Sequence, residues 1–75
     1  MSRISKHAGC YFRLGKEPGP MQDHNLIAWI KIKRAVIAND GRPQLFEVLC
    51  DVASAGNDGS EFVRYCIRRG WLEEK

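Results

Sequence analysis

The sequence predicts one small, mostly α domain with three helices and a short strand near its beginning. The chain has 75 residues, of which 44% are hydrophobic, and this size and composition suit a single globular domain with a thin core. Gly41, Gly56 and Gly70 each follow a segment with helical character. Glycine is favoured just past a helix C-terminus because it adopts the left-handed conformation at little cost. The spacing therefore indicates three helices between residues 23 and 70.

An N-terminal part over residues 1–22 is expected to differ from a helical domain over residues 23–75. The run Gly15–Pro20 contains two prolines, which disfavour both a helix interior and a central strand. Before it, Cys10–Leu14 has the aromatic content of a short strand. We therefore expect a basic arm, one short strand and a turn-rich linker to precede the helices.

The three helices are predicted over residues 24–39, 42–55 and 60–69. Pro43 suits the first turn of the second helix, because the N–H that proline lacks needs no partner there. Asp58 lies three residues before Glu61, an arrangement similar to a capping box at the start of the third helix.

Apolar residues repeat at helical spacing through these segments and define the predicted core. Its main members are expected to be Leu26, Trp29, Ile30, Val36, Ile37, Leu45, Phe46, Leu49, Phe62, Val63, Ile67 and Leu72. The first helix is apolar around most of its circumference, so it is either nearly surrounded or exposes apolar surface to a partner or a second copy. We favour the first option, with lysine stems lying over the core.

A β-hairpin is the alternative to the first two helices. Ile30–Lys33 alternates between apolar and basic residues, and Asn39–Gly41 is a strong hairpin-turn signal. Residues 27–38 and 43–52 would then be paired strands. Pro43 would remove a hydrogen-bond donor from the second strand, and the apolar residues after it have helical spacing. These two observations favour the three-helix interpretation.

Charge is unevenly distributed along the chain. The formal net charge is +3, and residues 1–40 hold seven basic and three acidic groups. This asymmetry suggests a surface that meets an anionic partner. Lys31, Lys33 and Arg34 interrupt the longest apolar run, which excludes it as a membrane span. With no signal-peptide pattern at the start, we expect a soluble, cytoplasmic protein without a membrane partner.

Residues 45–72 carry the pattern that suggests a function: a helix, a tight turn, a second helix and an extended exit. This pattern resembles the helix-turn-helix of the winged-helix class, over about residues 24–73. In that class the third helix commonly ends in glycine followed by a bulky apolar pair, as Arg69–Leu72 does here. The class places a β-hairpin wing after that helix, whereas this sequence ends at Lys75. We expect Cys10–Leu14 to pair with Trp71–Glu73 instead.

The resemblance implies a small nucleic-acid-binding regulator, duplex DNA being the first candidate partner, in which the third helix reads the ligand. The exposed stripe of that helix is expected to present Glu61, Arg64, Tyr65 and Arg68. Arginine offers a planar fork of donors to phosphates and base edges, and a basic arm can follow the backbone. The predicted nucleic-acid-binding residues are Arg64, Tyr65, Arg68, Arg69, Arg42, Ser60, Arg3, Lys6, Arg13 and Lys16.

Three carboxylates keep a second function open. Glu47 and Asp51 on the second helix and Glu61 on the third would repel phosphates. The alternative is a small protein-binding inhibitor of a host nucleoprotein complex, encoded by a phage or mobile element in the manner of anti-defence proteins. A homodimer also stays open.

The sequence offers little support for catalysis or for a cofactor. Cys10, Cys50 and Cys66 form an odd set, which is a poor disulfide framework, and the last two are expected to be small core residues. A structural zinc site normally shows two close ligand pairs, and only His7 with Cys10 has such spacing. We therefore expect no metal, no cofactor and no enzymatic activity.

Overall fold

Three helices and a three-stranded sheet make up the computed structural model, which describes residues 7–54 and 59–75. In chain order the elements are β1 (Tyr11–Leu14), α1 (Asp23–Ala38), β2 (Gln44–Leu45), α2 (Phe46–Ala53), α3 (Ser60–Arg69) and β3 (Leu72–Glu74). The prediction of three helices is confirmed. The mostly α class is corrected to a mixed α/β domain, since about 52% of the described residues are helical and the sheet has three strands.

The predicted third helix matches α3 at both ends, whereas the second helix is shorter than predicted. It begins at Phe46 and not at Arg42, because residues 44–45 pair in the sheet as β2. The predicted turn glycine Gly56 and the capping residue Asp58 lie outside the described residues. The hairpin alternative is wrong, since residues 27–38 lie within α1.

The sheet is antiparallel, with strand order β2-β1-β3. In the β1–β3 pair, Phe12 lies opposite Glu74 and Leu14 lies opposite Leu72. The predicted pairing of the N-terminal strand with the segment after the third helix is therefore confirmed. On the other edge of β1, Tyr11 lies opposite Leu45 of β2.

The core fills the space between the helices and one face of the sheet. Its buried members are Phe12, Trp29, Ile32, Val36, Phe46, Leu49, Val63, Cys66, Trp71 and Leu72. Predicted core residues Leu45, Phe62 and Ile67 are half-buried. Phe12, Ile32 and Trp71 are core residues that helical periodicity in the predicted segments did not identify.

The inward face of α1 was predicted correctly at Trp29 and Val36, which are buried, but not at its other three predicted core residues. Leu26, Ile30 and Ile37 are exposed, together with Ile27, so this helix leaves apolar surface in contact with solvent. The expectation that lysine stems would cover its apolar residues is wrong for this face. The physical reason is that α1 carries two apolar stripes of similar spacing, and packing against the sheet and α2 buries only the stripe of Trp29, Ile32 and Val36. None of the described helices is long and apolar enough to cross a lipid bilayer.

Candidate nucleic-acid interface

A cleft with three basic side chains lies where the last turn of α3 meets the segment that follows β1. We call it the basic cleft. It is open to solvent, has a volume of about 480 Å³, and is lined by Lys16, Glu17, Gly19, Arg68, Arg69 and Trp71.

Backbone pairing brings Lys16 to this cleft. The antiparallel contact between β1 and β3 continues beyond the strands, where the Gly15 N–H donates to the Trp71 carbonyl at 2.6 Å and the Lys16 N–H donates to the Gly70 carbonyl at 3.0 Å. Gly70 ends α3 in the left-handed conformation, with φ 83°. A β-carbon at Gly70 would lie 3.3 Å from Cε of Lys16, so the glycine also leaves room for the lysine stem.

An aromatic stack holds Arg69 in place at the same site. Its guanidinium carbon lies 5.8 Å from the centre of the Tyr65 ring, within the range of a cation–π contact. Tyr65 packs edge to face on Trp71 with ring centres 5.5 Å apart, and Trp71 packs on Trp29 of the core at 5.8 Å. The stack therefore connects a surface cation to the buried core.

Positive charge predominates in the basic cleft. The cleft contains three cations, Lys16, Arg68 and Arg69, and one carboxylate, that of Glu17. Within residues 7–54 and 59–75 none of the three cations forms an ion pair. The negative end of the α3 dipole offsets part of this charge, because both arginines lie in its last turn. The excess of unpaired cations makes the cleft suited to bind an anion.

Among the described residues, Arg64, Arg42 and Arg13 were also predicted to bind nucleic acid, but they do not line this cleft. Arg64 is a half-buried residue of α3, and Arg42 lies in the turn between α1 and β2, where its N–H donates to the Asn39 carbonyl. Arg13 is on β1 and forms an ion pair with Glu73 at 3.6 Å, with both side chains more than half exposed.

Three further residues were predicted to bind nucleic acid. Ser60 is the first residue of α3 and is half-buried. Arg3 and Lys6 lie outside the described residues. Glu17, Gly19 and Trp71 also line the cleft but were not predicted. No local sequence pattern marks them, because their proximity depends on the pairing of β1 with β3.

The thiols of Cys10 and Cys66 are poorly suited to nucleophilic chemistry. Burial raises the pKa of the Cys66 thiol to about 12. At Cys10 desolvation is the main cause of a raised pKa, followed by a hydrogen bond to Glu74 and the negative charges of Glu74 and Glu47. The thiolate is the reactive form of cysteine, and both environments disfavour it.

The described part of the chain contains no cluster of three or more His, Cys, Asp or Glu side chains suited to hold a metal ion. The His7–Cys10 spacing belongs to a turn in which the Cys10 N–H donates to the His7 carbonyl at 2.9 Å. The His7 ring packs against Phe12 and Phe46, with ring centres 5.7 and 5.3 Å away.

No known protein family, curated protein or solved structure matches the chain.

Proposed function

We propose that this protein binds nucleic acid, with duplex DNA as the first candidate, through the basic cleft. The observation that carries the proposal is the convergence of Lys16 with Arg68 and Arg69, three cations from two distant parts of the sequence without carboxylate partners in the described chain. Phosphates dominate the affinity of proteins for nucleic acids, and lysine and arginine are their usual partners.

The position of Arg69 over the Tyr65 ring supports a phosphate as the ligand. An arginine in a cation–π contact can still donate its N–H groups to a second partner. Phosphate oxygens accept such donors in pairs. Because Tyr65 and Trp71 hold the guanidinium in place, less side-chain entropy is lost when the anion binds.

We further propose that α2 and α3 act as the helix-turn-helix pair that the sequence resembles. In this arrangement α3 lies nearest the ligand, and Arg68 extends from it beside the basic cleft. Lys16 would contact the adjoining backbone phosphates, as basic segments outside a recognition helix do.

The test is a binding titration of the whole protein with random-sequence duplex DNA, single-stranded DNA and RNA over a range of salt concentrations. We expect binding to duplex DNA that weakens with salt, with a log–log slope of about −2 to −3 for three phosphate contacts. No measurable affinity for any of these nucleic acids at low salt would contradict the proposal.

A matched pair of variants separates the cleft from overall charge. Arg68→Gln combined with Arg69→Gln removes two cleft cations, and we expect the salt slope to fall by about 2. Arg42→Gln combined with Arg64→Gln removes the same charge from residues that do not line the cleft, and the slope should stay the same. Equal losses from the two variants would show that the cleft is not the binding site.

A second candidate function is binding of another protein at the same surface, as in the inhibitor hypothesis. The observation in its favour is that Glu61 of α3 and Asp51 of α2 are exposed. A protein surface of mixed charge can match both signs, whereas a duplex presents only negative charge. Measurable affinity for a protein target, together with no measurable affinity for nucleic acid, would favour this function.

A further inference from the structure

The outward face of α1 exposes a group of apolar side chains that the basic cleft does not explain. Six of the exposed residues of this helix lie within an arc about 100° wide at 3.6 residues per turn. They are Asp23, Leu26, Ile27, Ile30, Arg34 and Ile37. We call this set the α1 face. Ile27 and Ile37 keep 56% and 57% of their surface exposed. Leaving this apolar surface in contact with water costs free energy that burial against a partner would recover.

The apolar surface continues from the α1 face toward α2. A shallow open groove of about 500 Å³ lies beside it, with Ala35, Ala38 and Val52 at its base and Lys31 and Arg34 at its rim. A helix laid along residues 23–34 of α1 would therefore cover Leu26, Ile27 and Ile30 and would reach the edge of this groove at Lys31 and Arg34.

The charges on α1 are arranged asymmetrically along its length. Asp23 lies in the first turn, whereas Lys31, Lys33 and Arg34 lie in the second half. Two copies packed in parallel would place the basic groups opposite each other. Two antiparallel copies would place the acidic end of each helix opposite the basic end of the other, and would also align the helix dipoles favourably.

We propose that the α1 face binds a second copy of this chain, in a two-fold dimer with antiparallel α1 helices. Asp23 of one copy lies opposite Arg34 of the other. Ile27 and Ile30 lie four residues inward of these two positions, so Ile27 of each copy packs on Ile30 of the other. The pairing satisfies the rule that a two-fold interface matches a surface to itself.

The dimer is expected to be weak. With Asp23 opposite Arg34, residues 23–34 of the two helices overlap, which is 12 of the 16 residues of α1. This overlap is about 18 Å long, so the contact is at the small end of specific interfaces. Affinity in the micromolar range is typical of such contacts. Because the basic cleft shares no residue with the α1 face, this proposal is independent of nucleic-acid binding.

Sedimentation velocity of the whole protein tests the proposal, at concentrations from about 5 µM to about 500 µM, a range that brackets micromolar affinity. We expect a monomer–dimer equilibrium. Ile27→Gln combined with Ile30→Gln should weaken it at least about tenfold. Tyr11→Gln is the control, because Tyr11 is 50% exposed but lies on β1, and it should leave the equilibrium unchanged.

Charge exchange tests the antiparallel pairing and does not depend on the isoleucine variants. Asp23→Arg alone and Arg34→Asp alone should each weaken the dimer about fivefold, since each places like charges together twice. The combined variant should recover affinity to within about twofold of the original. Circular dichroism of each variant establishes that the helices are retained.

Two results would overturn the proposal. A monomer at every concentration would show that the α1 face does not bind its own copy and is left for a different protein. A dimer whose affinity fails to recover in the combined charge variant would show that the helices do not pair in this way.

Discussion

Trp71 is the residue that joins the stable interior to the candidate binding surface. It is buried, it packs on Trp29 on one side and on Tyr65 on the other, and it also lines the basic cleft. Arg69 lies at the outer end of this stack. Because these rings connect Arg69 to the core, we expect its side chain to be more fixed in position than an isolated surface arginine.

Replacing Tyr65 tests whether the stack positions Arg69. Tyr65→Leu removes the ring under the guanidinium, and exposed cation–π contacts contribute about 0.5–1 kcal/mol. We therefore expect nucleic-acid affinity to fall by about twofold to fivefold in the salt titration. Tyr65→Phe keeps the ring and should keep the affinity, so equal effects of the two variants would argue against positioning by the ring.

The buried Cys66 thiol predicts how stability changes at high pH. Burial raises its pKa to about 12 in the folded protein, whereas the ordinary value is 9.0. Below pH 9 both states hold the proton, so the stabilisation is complete there. Above pH 9 the unfolded chain loses the proton first, and stability falls by about 1 kcal/mol per pH unit until about pH 12.

Urea unfolding between pH 7 and pH 11 measures this dependence. Cys66→Ala is the comparison variant: it lacks the ionising group, so it should be less stable at pH 7 but should lose less stability as the pH rises. Parallel curves for the two proteins would show that Cys66 does not contribute the expected pH dependence.

At the scale of elements, the central strand β1 contributes more to the fold than its length suggests. It pairs with β2 on one edge and β3 on the other, and its Phe12 side chain is fully buried. Phe12 also packs near Phe46, with ring centres 6.2 Å apart. The strand therefore anchors the sheet to α2 as well as to the segment after α3.

Two phenylalanine truncations compare β1 with α3. Phe12→Ala should lower the free energy of unfolding by about 3–5 kcal/mol, the usual cost at a fully buried site. Phe62 is half-buried, so Phe62→Ala should cost less, about 1–2 kcal/mol. Chemical unfolding of both variants gives the order, and a larger loss for Phe62→Ala would contradict the burial described here.

The elements also differ in how well the sequence predicted them. The bounds of α3 were predictable because Gly70 ends it and the polar residues lie on one side. The inward face of α1 was not, because both of its stripes are apolar. β2 has two residues, too few for alternation to appear. Among the candidate site residues, Lys16, Arg68 and Arg69 line one cleft, whereas Arg64 and Arg42 do not. Lys16 reaches the two arginines only because β1 pairs with β3, and the sequence does not show that convergence.

At the scale of the whole molecule, the two candidate surfaces use different physical properties. The basic cleft relies on unpaired cations and is sensitive to salt. The α1 face relies mainly on apolar area, which salt does not screen. Measurements at high salt would therefore weaken the first interaction while leaving much of the second.

The middle position of β1 in the sheet also has a consequence for how the chain acquires its structure during synthesis. Residues 11–14 are made well before their partners in β3, which are residues 72–74. Until those are made, one edge of β1 stays unpaired, and Phe12 lacks part of its surroundings. Unpaired strand edges with apolar residues favour aggregation, and contacts between distant residues slow folding. We therefore expect this domain to fold only after β3 has been made, with β1 most exposed to wrong partners before that point.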